Sequence, residues 1–241
     1  MAVNRDEFYS RPSRAANFWG TTPEILAGKD LVGGGTWLGI TRTGKVAAIT
    51  NFRDPLSYVD TAPSRGRIVL AFLKGNKDIK DHIVDIAKKA HEYNGFNLFM
   101  GNLKEYFFYS NRTGDIKRLQ PGIYGLSNHL LDTPWPKLAK GKKLFQDLIS
   151  KNRKINWSDL LPILLDNSLP PDYLLPDTGV GIQRERMLAP LFIKSPDYGT
   201  CSSTVILFAR DDNVFFFERS YYPFEEEQHS DVEFHFKMET L

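Results

Sequence analysis

The sequence has little cysteine and no excess of either charge. Cys201 is its only cysteine, so an internal disulfide and a cysteine-rich metal site are both excluded. The 31 basic and 29 acidic residues nearly cancel, which leaves no overall attraction for nucleic acid. No apolar run approaches the roughly 20 residues of a membrane span, and the first residues lack the apolar core of a signal peptide. We therefore expect a soluble intracellular protein with no nucleic-acid partner and no membrane span.

What the sequence does contain is enough apolar material for a core. Its 241 residues are 41% apolar and 13% aromatic. Short β-prone runs alternate with turn residues, and apolar residues follow helical spacing elsewhere. Strands are predicted at residues 36–40, 46–50, 97–100, 106–110, 116–119, 123–127, 191–193, 203–209, 214–219 and 232–238. Helices are predicted to begin near Ile68, Asp78, Pro134 and Asn156, and a polar stretch is expected up to Asp30.

The order of these elements indicates the fold class. Helices grouped between sets of antiparallel strands favour a layered α+β fold over βαβ winding. No internal repeat or low-complexity tract divides the chain, so one domain over residues 1–241 is predicted. The triple glycine Gly33–Gly35 before a β-rich run indicates a tight turn or a close approach of two backbones.

The polar segment Asn4–Glu7 stands at the start of the sequence and is followed at once by Phe8 and Tyr9. A frayed tail would not need so many hydrogen-bonding groups beside large aromatic ones. We interpret this segment as part of a functional site.

Among the five histidines, no pair has the spacing of a zinc motif on one helix face. His129 is the candidate for ligand contact, because it follows a predicted strand whose end can border a pocket. The alternative is a loop histidine held by hydrogen bonds. Cys201 starts a predicted strand and is interpreted as a small buried residue, with a catalytic nucleophile as the alternative.

Two asparagines, Asn51 and Asn128, each end a predicted strand. Their neutral, directional amides are suited to hold an oxyanion, although capping a turn is the commoner use of asparagine. The ionic couple Arg5 and Asp6, which an apolar pocket could keep fixed, favours the functional interpretation.

Several motifs together resemble the NRDE family, the family of transport and Golgi organization protein 2, and they extend over nearly the whole chain. They are Asn4–Glu7, Gly34–Gly39, Thr50–Asn51, Tyr93–Leu98, Tyr124–Asn128, Thr133–Lys137 and Tyr198–Thr200. The resemblance implies an N-terminal-nucleophile hydrolase-like fold, a four-layer αββα sandwich with two antiparallel sheets inside. It also implies that Arg5, Asp6, Asn51 and Asn128 hold the substrate and the oxyanion.

The sequence departs from the family pattern at its start. Family chains run from Met-Cys through an apolar strand into the motif, whereas here Met1–Val3 lead directly into Asn4. The nucleophilic cysteine and most of the first strand are therefore expected to be missing, and catalysis is not expected of the chain as written.

Three functions follow from the resemblance. The first is a non-enzymatic carrier of haem or an acyl- or lipid-like molecule, held by Arg5, Asn51, Asn128 and His129, with His129 or Met187 as an axial ligand of haem. The second is a cysteine amide hydrolase whose Met-Cys start lies upstream. The third is a scaffold for secretory-pathway proteins, with Tyr221–Phe224 and the following Glu225–Glu227 as a docking patch; the favoured alternative for this segment is an ordinary loop that covers one end of a sheet. The family implies links to haem trafficking, lipid homeostasis, secretion and Golgi organisation. A cytoplasmic protein associated with mitochondria or Golgi is expected.

Overall fold

Within the part of the chain that the structure describes, the strands form two antiparallel sheets, one of seven strands and one of four. The computed structural model describes residues 1–20, 24–151, 154–225 and 228–239. The chain divides into a four-stranded unit, Met1–Arg11 with Pro134–Met238, and a seven-stranded unit, Pro12–Thr133 with Glu239. The single domain predicted over residues 1–241 stays a prediction.

The seven-stranded sheet is a meander in which each strand pairs with the next along the chain. Two of its turns need glycine, because Gly44 and Gly114 have φ angles of 83° and 73°. Its strands are β2 (Ser13–Trp19), β3 (Ile25–Asp30), β4 (Leu38–Thr41), β5 (Val46–Asn51), β6 (Phe96–Gly101), β7 (Tyr106–Ser110) and β8 (Ile116–Leu119); β1 belongs to the other sheet.

Two helices, α1 (Gly66–Lys74) and α2 (Ile79–Lys89), connect β5 to β6 and cover one face of this sheet. Their apolar residues recur at helical spacing, so one side of each helix is buried. Phe72 and Leu73 are among the fully buried side chains, and each contributes about 2 kcal/mol through burial. The resulting core includes Ile25, Ala27, Ala47, Ile68, Val69, Ile83, Leu98 and Met100.

The four-stranded sheet has the order β1-β9-β10-β11. These strands are β1 (Ala2–Phe8), β9 (Tyr198–Phe208), β10 (Asn213–Tyr221) and β11 (His229–Lys237). All neighbours are antiparallel, and the pairing of β1 with β9 shifts register between Arg5 and Asp6. Exposure alternates along β11, as predicted for a strand with one wet face.

The helices of this unit are α3 (Pro136–Ser150), α4 (Trp157–Leu164) and α5 (Ile182–Met187). α4 begins after Asn156, as predicted, and Asp159 accepts the backbone N–H of Asn156 at 2.9 Å in a capping box. Trp157 stacks on Phe217 of β10 with ring centroids 4.0 Å apart. These contacts fix α4 on the sheet, where Leu148, Leu160, Leu161, Leu164 and Val205 complete the core.

One prediction about the first thirty residues is wrong, and one stays a prediction. Ala2–Phe8 form a strand that pairs with β9 along its whole length, and the expected loss of most of the first strand stays a prediction. The polar stretch expected up to Asp30 contains β3, in which Ile25, Leu26 and Ala27 are fully buried. Three consecutive apolar residues were enough for a strand that is buried on both faces.

The strands predicted at residues 123–127 and 191–193 are also wrong. The N–H of Asp132 donates to the carbonyl oxygen of Gly125, and the N–H of Gly125 donates to the Asp132 carboxylate. The chain therefore closes a loop there. The N–H of Phe192 donates to the carbonyl of Asp166, and that of Ile193 donates to the hydroxyl of Thr200. These backbone groups are satisfied outside a sheet ladder. Among the described residues, no helix has the length and apolar character needed to cross a bilayer.

Candidate ligand-binding site

The Asn4 side chain braces the four-stranded unit. Its Nδ2 donates to the carbonyl oxygens of Leu164 and Leu191, both at 2.8 Å. Its Oδ1 accepts from the Ser203 hydroxyl at 2.6 Å. Asn4 therefore joins the end of α4, the segment before β9 and β9 itself.

Asp6 makes a second brace on the same strand. Its carboxylate accepts from the Thr200 hydroxyl at 2.7 Å, and that hydroxyl in turn accepts from the N–H of Ile193 at 2.9 Å. Glu7 points elsewhere and forms an ion pair with Arg11 at 3.6 Å. Two of the four motif residues thus have clear structural roles.

Arg5 is buried, with 9% of its surface exposed, and lies opposite Ser202 beside the register shift. A buried guanidinium is consistent with the predicted placement of Asn4–Glu7 inside the fold rather than in a frayed tail. Arg5 also contributes a favourable charge to the neighbouring Cys201 thiolate.

Cys201 nevertheless lacks the features of an activated nucleophile. Burial raises the pKa of its thiol, and the positive charge of Arg5 offsets this only in part. The sulfur lies 3.6 Å from the carbonyl oxygen of Glu7 and 3.5 Å from that of Gly199. The thiol therefore stays protonated at neutral pH, where only a thiolate would be strongly nucleophilic.

In the seven-stranded unit, Asn51, Asn128 and His129 come together at the end of β5. The Nδ2 of Asn128 donates to the carbonyl oxygen of Asn51 at 3.2 Å. The N–H of Arg53 returns a bond to the carbonyl oxygen of Asn128 at 2.7 Å. We call residues 125–133 the histidine loop; it is fastened to the end of β5 through these bonds.

The imidazole of His129 is held in one tautomer. The Thr133 hydroxyl donates its single proton to the carbonyl oxygen of Leu130 at 2.8 Å. It can therefore only accept from His129 Nδ1, which lies 2.8 Å away. The neutral ring carries its lone pair on Nε2, and burial lowers the pKa of the ring, which favours the neutral form.

An aromatic ring supports this imidazole. Phe52 follows β5, and its ring centroid lies 4.8 Å from that of His129 at an angle of 37°. The arrangement combines an aromatic ring, an imidazole with a nitrogen lone pair and the amide of Asn128, which is bonded to the backbone of Asn51. Such a mixture suits a ligand that is apolar over most of its area and polar at a few points.

Sequence reasoning missed three members of this network, Phe52, Thr133 and Asn97. Asn97 on β6 is fully buried, and its Nδ2 donates to the carbonyl oxygen of His129 at 2.8 Å. The available signal was an amide within the apolar run Phe96–Met100, where a polar side chain is costly unless it has a partner.

The other predicted site residues lie in the four-stranded unit. Arg5 and Asp6 are on β1, and Met187 is the last residue of α5. The structure thus brings Asn51, Asn128 and His129 into one cluster and places Arg5 and Asp6 together on a different strand.

The predicted docking patch is exposed only in part. The Tyr221 hydroxyl donates to Ser203 at 3.0 Å and the Tyr222 hydroxyl pairs with Ser230 at 2.9 Å, so both rings are half-buried. Phe224 is 74% exposed. Glu226 and Glu227 of the predicted patch lie outside the described residues.

A pocket of about 220 Å³ opens beside the start of α3. Its charged lining groups are matched within the wall, because Lys140 pairs with Asp166 and also donates to Ser168 at 2.6 Å. Lys137 donates to the carbonyl oxygen of Leu188 at 2.9 Å.

Comparison with known proteins places these features in a family. The sequence model described as Transport and Golgi organisation 2 matches residues 1–223. Transport and Golgi organization protein 2 homologs of Bos taurus and Homo sapiens are each 40% identical over 237 residues, covering 91% of this chain and 85% of the relative. The Drosophila melanogaster protein is 26% identical over 245 residues, with the same coverage.

Solved structures of conjugated bile acid hydrolase from Clostridium perfringens resemble the fold. A mutant of that enzyme has a TM-score of 0.52 at 8% identity, covering 95% of this chain and 87% of its own. A second variant has a TM-score of 0.51 at 9% identity, covering 100% and 94%. At such low identity the likeness concerns the fold alone, and it confirms the N-terminal-nucleophile hydrolase-like fold that the sequence resemblance implies.

Proposed function

Because the chain belongs to the Transport and Golgi organisation 2 family, we propose that it is a non-enzymatic carrier of haem or of a similar acyl- or lipid-like molecule. The observation that supports this proposal is the cluster of His129, Phe52, Asn51 and Asn128 at the end of β5. Its relatives are named for transport and Golgi organisation, and a carrier is a function of that kind.

The chemistry of the cluster fits such cargo. Thr133 keeps Nδ1 of His129 as a donor, so Nε2 bears the lone pair, and His129 would be the residue that binds the iron of haem through it. The Phe52 ring supplies an apolar surface for a flat or alkyl group. The amides of Asn51 and Asn128 supply neutral polar contacts for a carboxylate or carbonyl.

Titration with haemin, followed by the Soret band, tests the proposal. We expect saturable binding at micromolar haemin, and His129→Ala should abolish the spectral signature of imidazole ligation. His91→Ala, at an exposed histidine of the same unit, is the matched control and should bind like the unmodified chain. A spectrum that does not change with haemin contradicts the proposal.

Thr133 provides a finer test of the same site. Thr133→Val removes the acceptor of Nδ1 at nearly constant size and should weaken haemin binding about tenfold. Thr133→Ser keeps the hydroxyl and should retain affinity. Equal haemin affinity in Thr133→Val and Thr133→Ser would show that the tautomer of His129 does not affect binding.

Arg5 stays a predicted partner of a ligand carboxylate. Arg5→Gln removes its charge and is tested in the same titration, with Arg11→Gln as a control from the same unit. Haemin binding that is unchanged in Arg5→Gln would contradict this prediction.

Amide hydrolysis and a scaffold role in secretion are the competing functions. Hydrolysis predicts turnover of a chromogenic amide, and Cys201→Ser should not affect it, since that thiol stays protonated. A scaffold predicts that Phe224→Ser reduces recovery of secretory-pathway partners in a pull-down. The carrier proposal also predicts a cytoplasmic pool with association to mitochondria or Golgi, which fractionation of cells measures.

A further inference from the structure

Asn97 occupies a position where an amide is unfavourable unless it has a specific use. It lies on β6 between Phe96 and Leu98. Asn97 and Phe96 are fully buried, and Leu98 is 1% exposed. Burying an amide removes it from water, and this cost is offset only by hydrogen bonds.

The donors of this amide cross from β6 to the histidine loop. Nδ2 donates to the carbonyl oxygen of His129 at 2.8 Å and to the Thr50 hydroxyl at 3.2 Å. That hydroxyl donates onward to the carbonyl oxygen of Ser127 at 2.9 Å. Asn97 on β6 and Thr50 on β5 therefore donate hydrogen bonds to the backbone on both sides of Asn128.

The orientation of the amide follows from its neighbours. A reversed amide would place Oδ1 against the carbonyl oxygen of His129, where two acceptors would repel each other. In the orientation present, Oδ1 is buried and has no hydrogen-bond partner among the described residues. An unpartnered buried acceptor lowers stability, so what asparagine contributes here lies in its two donor bonds toward the histidine loop.

We propose that Asn97 is a positioning residue for ligand binding, which holds the His129 backbone so that the imidazole presents Nε2 to the cargo. This inference rests on the proposed function, since it assigns Asn97 to the same site. His129 is positioned at two points, at its ring by Thr133 and at its backbone by Asn97. Both act through His129 rather than on the ligand.

Asn97→Leu separates positioning from folding. Leucine keeps the branched shape of asparagine but is larger; it loses both donors and also removes the unpartnered acceptor, so its effects on stability oppose each other only in part. We expect a lower melting temperature than that of the unmodified chain and haemin affinity about tenfold weaker. The low-spin electron paramagnetic resonance signal of bound ferric haem should broaden, because its g values depend on the orientation of the imidazole.

Ser110→Ala is the matched control. Ser110 lies opposite Asn97 on β7, is equally buried and bonds to the carbonyl oxygen of Phe96, away from the histidine loop. It should leave haemin affinity unchanged whatever it does to stability. Equal losses of affinity in Ser110→Ala and Asn97→Leu would overturn the inference, because the effect would then follow general destabilisation.

Hydrogen exchange in the ligand-free chain tests positioning independently of haem. The N–H of Arg53 donates to the carbonyl oxygen of Asn128, so its exchange reports how firmly the histidine loop is attached. We expect faster exchange in Asn97→Leu than in Ser110→Ala, and equal exchange would overturn the inference.

If His129→Ala binds haemin normally, the proposed function fails at this site. If His129→Ala loses binding while Asn97→Leu retains it, only the positioning role fails.

Discussion

Asn4 shows how one side chain at the start of the chain connects distant segments. Its amide reaches the carbonyl oxygens of Leu164 and Leu191 and also accepts from Ser203. Asn4→Asp keeps the size but places a carboxylate oxygen against two carbonyl oxygens. We expect the free energy of unfolding, measured by urea denaturation, to fall by about 2–4 kcal/mol.

Asn17→Asp is the control for this substitution. Asn17 is exposed on β2, and its Oδ1 only accepts from the N–H of Phe18 at 2.8 Å, which a carboxylate also does. Its stability should change by less than about 0.5 kcal/mol. Equal losses in the two variants would show that the bonds of Asn4 do not matter.

At the scale of elements, Gly35 lets the turn before β4 cross the start of α1. A Cβ at Gly35 would overlap the carbonyl group of Gly66 and lie 2.8 Å from the backbone nitrogen of Arg67. Since these are backbone atoms, a rotamer change cannot relieve the contact. Gly35→Ala should therefore cost at least about 2 kcal/mol of unfolding free energy, measured by thermal and urea denaturation.

Gly20 supplies the control, because nothing lies within 4 Å of the position of an added Cβ. Gly20→Ala should leave the unfolding free energy within about 1 kcal/mol. A Gly35→Ala variant as stable as Gly20→Ala would mean that the turn and α1 can separate at little cost.

On α2, His82 makes the packing of the helix sensitive to pH. Its ring lies 5.5 Å from that of Phe72, and its buried Nε2 has no hydrogen-bond partner among the residues described. Desolvation lowers the pKa of His82. The positive charges of Lys77 and Lys45 lower it as well, whereas the negative charge of Asp85 raises it. As pH falls below the usual value near 6.5, the unfolded chain binds this proton more readily, so the folded state loses stability.

His82→Leu should reduce the loss of stability between pH 7 and pH 5, measured by urea denaturation at each pH. His91→Leu, at an exposed histidine in the turn after α2, should keep the slope of the unmodified chain. A slope that is the same in all three proteins would mean that His82 does not control it.

Local signals were sufficient for some elements and not for others. The triple glycine, the Asn156 cap and the alternation in β11 are chemical requirements written into a few adjacent residues, and all three were predicted correctly. The apolar runs at 123–127 and 191–193 were misassigned because their backbone partners, Asp132, Asp166 and Thr200, are specified elsewhere in the chain. Periodicity carries no information about such partners.

The candidate site follows the same distinction. Asn51, Asn128 and His129 were named from residue type and family resemblance, and the structure groups them. The roles of Asn97 and Thr133 depend on which carbonyl or ring lies opposite, and this is known only once the fold is formed. Sequence thus supplied the candidate residues of the proposed site, and the fold shows which side chains lie against them.

At the scale of the whole molecule, acid should unfold the protein in two phases with different causes. The first lies below pH 6.5 and comes from His82 and His129, because burial lowers the pKa of both rings. The second involves carboxylates whose pKa is lowered by hydrogen bonds from basic partners: Asp85 with Lys77, to about 2, Asp172 with Arg186, and Asp231 with Arg219. A lowered carboxylate pKa contributes stability above about pH 3.8, and this contribution is lost as pH falls through the folded value.

Salt distinguishes the two phases, because the ion pairs lie at the surface while the His82 nitrogen is buried. Raising the salt to about 1 M shortens the screening length to roughly 3 Å and should flatten the decline below pH 4. The decline between pH 6.5 and pH 5 arises mainly from desolvation and should change little. Urea denaturation across this range at low and high salt measures both phases. Stability that rises as pH falls from 7 to 5, or a first phase that salt abolishes, would contradict this assignment of the charges.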